Sequence, residues 1–234
     1  MAILFFSASM VYAQDVVSNN SNSTPLISKP SRDFLVIQLG YNNWTNKNDS
    51  AVNTKGGYVF NAFLCYDFPI KKSSFSFATG LGINVNVVYL NQQRMTLNDT
   101  SVLGSTAVRF IPDTGLPYTY KRYKFVTSYL TAPFELRYFS NTHNRNKGFK
   151  AAIGMNVGLF VGAHTKGVAS VDGITVKDKT DTKRFMSTWN LAATARVGYG
   201  NYAIFGSYNL TPVFKDGQGP PATPYTIGFC VTGL

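Results

Sequence analysis

Charge is scarce in this chain. Only 14% of its 234 residues are Asp, Glu, Lys or Arg, little for a domain that keeps its whole surface in water. Long apolar runs are missing as well: no stretch of about 18 apolar residues occurs, which excludes a transmembrane helix. Histidine and cysteine are down to two residues each. No metal-ligand spacing, phosphate loop or dinucleotide fingerprint occurs, so no metal and no cofactor are expected. Acidic residues number 11 against 22 basic ones, giving a net charge of +11 and an isoelectric point near 9.6. Such a balance ordinarily points to nucleic acid, a partner that the compartment argued below makes improbable.

What the chain has in abundance is two-residue alternation. From Phe75 to Tyr89 nearly every odd position is large and apolar, while Ser76, Ala78, Gly80, Gly82, Asn84 and Asn86 are small or polar. The rhythm recurs near 35–41, 58–68, 130–138, 149–161, 189–199, 202–210 and 225–231, each time with the apolar set on one parity. A period of two puts successive side chains on opposite faces of a strand. Eight such segments predict an all-β domain.

The faces decide the solvent. Asp67, Glu135, Arg137, Lys150 and Arg196 all fall on the small and polar parity, and almost no polar residue falls on the other. An eight-stranded barrel is only wide enough for side chains to fill, so it cannot hide the bulky set inside. That set faces lipid, which predicts an eight-stranded antiparallel up-and-down transmembrane β-barrel. Outward aromatics then form two girdles, as membrane barrels require. Tyr41, Tyr58, Phe60, Tyr89, Trp189, Tyr208 and Tyr225 belong to one end, and Tyr66, Phe68, Phe75, Phe77, Tyr138, Phe149, Tyr199 and Tyr202 to the other. Links alternate between short (70–74, 140–148, 200–201) and long (45–57, 91–126, 164–185, 211–224). In outer-membrane barrels the short ones are periplasmic, so both termini are expected in the periplasm.

Residues 1–13 read as a signal peptide that lacks its basic start, with cleavage after Ala13 and no cysteine following for a lipoprotein anchor. Residues 14–33, rich in Ser, Asn and Pro, read as a flexible periplasmic leader, and 34–234 as the barrel. Cys65 and Cys230 sit on strands that flank the first strand, about 10 Å apart from strand spacing, too far for a disulfide. They are expected to be free thiols in the lumen.

The segment Tyr129-Leu130-Thr131-Ala132-Pro133-Phe134-Glu135-Leu136-Arg137-Tyr138 resembles the mid-barrel strand of the PorT-like outer-membrane barrels of Bacteroidota. Strand rhythm extends the resemblance from about Phe34 to Leu234. It implies an outer-membrane barrel and permits a role beside type IX secretion. The chain departs from that family at Leu234, where such barrels often end in an aromatic. Pro133 in a strand with two neighbours predicts a bulge there.

Strand direction puts the five lumen charges in one half of the barrel, with Glu135 expected close to Arg137, Lys150 and Arg196. A network that plugs a narrow lumen is the main reading, because buried charges persist only when paired; an ion path or gate is the other. Enzymatic function is not expected. His143 falls in a short turn and His164 at the start of a long loop, near Thr165, Ser170 and Asp172, a poor basis for a barrel lipid hydrolase or protease. Loop cations, above all Lys121, Arg122, Lys124, Lys183 and Arg184, would hold lipopolysaccharide phosphates. The expected function is a structural or interaction protein working through long external loops on a surface partner or an outer-membrane complex. The alternatives are a transport or secretion accessory and, last, a lipid-modifying barrel.

Overall fold

The computed structural model describes residues 34–45, 52–70, 73–96, 107–113, 120–142, 144–171 and 174–233. The signal segment, the leader and His143 lie outside the described residues. In chain order the strands are β1 (Leu35–Thr45), β2 (Thr54–Pro69), β3 (Phe75–Leu90), β4 (Gln93–Thr96), β5 (Arg109–Pro112), β6 (Tyr120–Phe139), β7 (Phe149–Val171), β8 (Ile174–Thr182), β9 (Trp189–Tyr199), β10 (Tyr202–Asn209) and β11 (Thr223–Thr232). Eight of them close a ring, β1-β2-β3-β6-β7-β9-β10-β11 and back to β1, with every pairing antiparallel. The fold is the up-and-down barrel that the alternation predicts.

Three strands lie outside that ring. β4 and β5 pair with each other, and β8 pairs with β7 alone where β7 runs on past β9. The predicted loops 91–126 and 164–185 are therefore partly sheet: β6 begins at Tyr120, β7 continues to Val171, and β6, β7 and β8 form an extension beyond the barrel. β8, which reads Ile-Thr-Val-Lys-Asp-Lys-Thr-Asp-Thr, is exposed on both faces and carries no apolar alternation, whereas β6 and β7 keep an inner face of Tyr123, Phe125, Ala163 and Ala169.

A bulge makes the extension possible. Ser128 pairs with Gly162 but Tyr129 with Phe160, so Val161 is the extra residue on β7. One inserted residue exchanges the two faces. Before it Ala152 and Asn156 point inward, and after it Ala163, Thr165 and Ala169 do. Pro133 carries no bulge, contrary to expectation. Its pairing with Asn156 on β7 is in register, and towards β3 the ladder lapses between Thr79–Phe134 and Gly82–Thr131 without a shift. Omitting a pairing accommodates the missing N–H as well as a bulge does.

The outer wall is apolar. Leu39, Leu64, Leu81, Ile153, Ile204, Ile227 and Phe229 are all exposed, Phe229 at 75%. Among the described residues there is no helix long and apolar enough to cross a membrane. The end carrying the links 70–74, 140–148 and 200–201 is called here the turn end, and its opposite the loop end. At the turn end Gly148 and Gly200 take left-handed φ of 100° and 61°, which a residue without Cβ adopts freely, and Gly200 N–H donates to the Gly148 carbonyl at 3.0 Å.

Candidate functional site: the filled lumen and the loop-end rim

Large charged side chains fit inside the turn-end half because small residues stand beside them. Glu135 is opposite Ala78 on β3 and Gly154 on β7. A Cβ on Gly154 would come within 2.1 Å of the Phe134 carbonyl oxygen. In the room so left, Arg137 donates through Nε to Glu135 Oε2 at 2.7 Å and through Nη1 to Asp67 Oδ1 at 2.9 Å. Arg196 donates through Nη2 to the same Glu135 oxygen at 2.8 Å and through Nη1 to Cys230 Sγ at 3.6 Å. Arg137 is only 1% exposed and Glu135 7%. Lys150, also buried, donates to the Thr232 hydroxyl across the lumen.

The network also holds a member that strand parity could not supply. Arg145, in the β6–β7 link, is buried and donates through Nη1 to Asp67 Oδ2 at 2.9 Å, with its guanidinium 4.7 Å from the Phe139 ring centre. The link folds back over the barrel mouth, and nothing in its sequence distinguishes an inserted arginine from a solvated one. On the opposite wall Val36, Phe63, Cys65, Phe205 and Cys230 pack together, and both thiols are free and buried. Across β1, β2 and β3 runs an amide ladder: Asn61 donates to Gln38 at 2.8 Å, Asn84 to Asn61 at 2.6 Å, and Asn86 to Asn84.

The loop end is closed differently. Trp44, Phe125 and Phe214 meet edge-on and stacked, with ring centres 5.9–6.1 Å apart, and Val88, Leu90, Met95, Tyr123, Phe185 and Met186 pack around them. Tyr123 satisfies its hydroxyl on the Met95 carbonyl at 2.9 Å, and burial pushes its phenol pKa up. Phe185 holds a left-handed φ of 70°, a conformation that costs about 1–3 kcal/mol and persists only where packing enforces it; here its ring is buried in the cluster.

The aromatic residues of the two girdles lie on the outer wall. Tyr41, Tyr58, Trp189 and Tyr208 are exposed at the loop end, with Phe60, Tyr89 and Tyr225 half-buried among them. Tyr66, Phe68, Phe75, Phe77, Phe149, Tyr199 and Tyr202 are exposed at the turn end, and Tyr138 is half-buried. Neighbouring rings touch along both rows, Tyr41–Tyr225 and Tyr58–Tyr89 in one, Phe75–Tyr138–Phe149 in the other.

Outward at the loop end stand the cations. Lys121, Arg122, Lys183 and Arg184 are exposed and Lys124 half-buried. His164, expected in a loop, lies on β7 between Val126 of β6 and Asp181 of β8; burial first, and then Lys179, hold its imidazole below the usual histidine pKa. Asp172 lies outside the described residues. A separate cavity of about 370 Å³ opens between Lys55, Tyr89, Asp113, Tyr120, Lys121 and Arg122, and burial pushes the Asp113 carboxyl above its ordinary range.

A closed eight-strand ring with an apolar exterior, aromatic rows at both ends and a packed polar interior fits a membrane barrel. A family model for an outer membrane protein β-barrel domain matches residues 18–215. The chain belongs to this outer-membrane β-barrel family. Two crystal structures of Ail, the attachment invasion locus protein of Yersinia pestis, are also similar to the outer-membrane barrel described here. One, in complex with the heparin analogue sucrose octasulfate, is 13% identical, with 85% of this chain and 94% of that chain covered and a TM-score of 0.36. The other is 12% identical over the same shares with a TM-score of 0.33. No curated protein matches the chain in sequence.

Proposed function

We propose that this outer-membrane barrel keeps a closed lumen and works as an interaction protein through its loop end, without enzymatic activity. The observation that carries the reading is that the interior is filled at both ends. The Asp67–Arg137–Glu135–Arg196 chain of ion pairs occupies one half, and the Trp44–Phe125–Phe214 cluster caps the other. A barrel of this width with paired charges and packed rings inside offers solutes no path. Its surplus structure stands outside the ring, in β4–β5 and the β6–β7–β8 extension. Short links at one end and long ones at the other support a periplasmic turn end with both termini there. A surface partner, lipopolysaccharide or a neighbouring outer-membrane complex is what the loop end would hold.

Planar-bilayer recording and affinity capture from native outer membranes test this together. The purified protein is expected to give no steady channels, and replacing 97–106, between β4 and β5, with a short Gly-Ser linker is expected to lose a captured partner. Steady conductance abolished by Glu135→Gln overturns the closed lumen. The likeness of 129–138 to PorT-like barrels supports a second reading, an accessory of type IX-like secretion. Lost secretion with the partner retained would favour that one.

A further inference from the structure

The outer face of the extension carries an arrangement that the barrel does not need. Lys124 on β6 is directly opposite Lys166 on β7, and Lys166 is directly opposite Lys179 on β8. One step further from the barrel, Arg122, Val168 and Lys177 form the next row on the same face. Like charges in directly opposed positions of an antiparallel sheet repel and destabilise it. Three lysines abreast persist at least cost when an external anion lies across them. Internal compensation is thin: Asp181 pairs with Lys179 at 2.9 Å in the open, and Asp178, opposite inward-facing Gly167, takes the Tyr120 hydroxyl at 3.5 Å.

Position narrows the anion. The lysine row continues the row of the aromatic girdle, since Tyr89 is directly opposite Lys124. On the barrel side of the row, β7 bulges at Val161, and a cavity of about 380 Å³ opens there, lined by Ser128, Val161, Gly162, His164, Asp181 and Lys183. Its lower edge is lipid-facing, for Val161 is 52% exposed next to Leu159, which pairs with the girdle residue Trp189. Its upper edge is His164, one row below the lysines. From Ser128 to Lys124 is four residues, roughly 13 Å along a strand. A track that starts against acyl chains and ends on cations suits an amphiphile with a charged headgroup better than a soluble polymer. Burial first, and then Lys179 with Lys124 and Lys166 against Asp181, lower the His164 pKa, so the lysines' positive potential reaches the cleft.

We propose that the outer face of the β6–β7–β8 extension, from the cleft at Ser128 and Gly162 to the row Lys124–Lys166–Lys179, binds phosphate groups carried on the saccharide headgroup of an outer-leaflet glycolipid. The proposal rests on the interaction reading above and names the ligand class for one face of the loop end. Phosphates are held by the ammonium groups as point charges, so binding is salt-sensitive.

The test places the full chain in phosphatidylcholine nanodiscs and titrates rough lipopolysaccharide against the same glycolipid stripped of its phosphates. The phosphorylated form is expected to bind and the stripped form not to. The variant Lys124→Gln/Lys166→Gln/Lys179→Gln is expected to bind about a hundredfold more weakly, at roughly fivefold per surface cation. Its melting temperature without ligand should equal or exceed that of the parent, because repulsion has been removed. A control that removes three cations elsewhere on the loop end, Lys55→Gln/Arg109→Gln/Lys215→Gln, should bind within a few-fold of the parent, as screening by salt limits distant charges. Equal loss in the control, or equal binding of the stripped glycolipid, overturns the proposal. So does dextran sulfate binding to the row as tightly as the glycolipid, since the ligand is then any soluble polyanion. If the partner captured through 97–106 persists while the glycolipid fails to bind, only this proposal falls. If the lumen conducts or no partner is captured, the glycolipid titration still stands by itself.

Discussion

The two halves of the barrel interior solve one packing problem with opposite chemistry. At the turn end the lumen is filled by Asp67, Glu135, Arg137, Arg145 and Arg196, tied into one network by contacts of 2.7–2.9 Å. At the loop end it is filled by Trp44, Phe125, Phe214 and their neighbours, where dispersion and burial dominate and Tyr123 adds one hydrogen bond to the Met95 carbonyl. A charge network works as a unit, because each member left without its partner keeps its full desolvation penalty. An apolar cluster degrades in proportion to the atoms removed. The turn end, nearest the inner leaflet side of the proposed orientation, is thus all-or-none. The loop end, where a partner would dock, is adjustable.

The sharpest way to break that contrast is Arg137→Met. It leaves Asp67 with Arg145 alone and Glu135 with Arg196 alone and cuts the link between the two carboxylates, and a loss of about 3–5 kcal/mol in unfolding from lipid vesicles by urea is expected. Adding Glu135→Leu and Arg196→Met to the same chain should recover much of that loss, since a matched apolar replacement of a buried ion network is tolerated far better than a broken one. A triple variant less stable than the single one would show that these charges act independently. Phe214→Ala is the counterpart at the loop end. About 3 kcal/mol is expected there, but spent on local opening: proteolysis between β9 and β11 should accelerate while the melting of the ring changes less.

A glycine pair on β7 sharpens the comparison at smaller scale. Gly154 sits in the crowded half, where a Cβ meets the Phe134 carbonyl oxygen at 2.1 Å, whereas Gly162, at the bulge, has nothing within 4 Å. Gly154→Ala is expected to cost about 1–3 kcal/mol through forced backbone shifts. Gly162→Ala should be neutral or stabilising by up to about 1 kcal/mol, as the unfolded chain loses freedom. Comparable losses from both would mean that the bulge is as tightly packed as the lumen.

How far the sequence could be read tracks the same division. Parity alone places Asp67, Glu135, Arg137, Lys150 and Arg196 inside, because a ring of strands leaves each side chain only two directions. It misses Arg145, which enters the lumen from a link with no parity. It also misses the loop-end cluster. Trp44 lies on the inward parity of β1 but just past the segment scored as alternating, and Phe185, Val213 and Phe214 come from links that fold back over the ring. The extension was hidden for another reason. Hydrophobic alternation marks a strand only where one face is apolar, and β8 has water on both; its pairing with β7 is carried by backbone hydrogen bonds that leave no trace in composition. The Val161 bulge then reverses the parity of β7, so a uniform rule applied beyond it assigns each side chain to the wrong face.

The smallest expected effect concerns His164, on the rim between the two chemistries. Its folded-state pKa lies below the ordinary histidine value, through burial and then the neighbouring Lys179, with Asp181 opposing and Lys124 and Lys166 adding. Above the unfolded-state pKa, near 6.5, the imidazole is neutral in both states and costs nothing. As pH falls through that value the unfolded chain takes up the proton first, so stability declines until the folded-state pKa is passed. His164→Gln should flatten this decline between about pH 7 and pH 5, read as the difference in melting temperature between parent and variant at each pH. A bound phosphate would offset the lysines and raise the imidazole pKa towards its free value, so saturating glycolipid should flatten the parent's profile in the same window. A parent profile indifferent to both the substitution and the glycolipid would mean that the lysine row exerts no field at His164, and that the rim is as screened as open water.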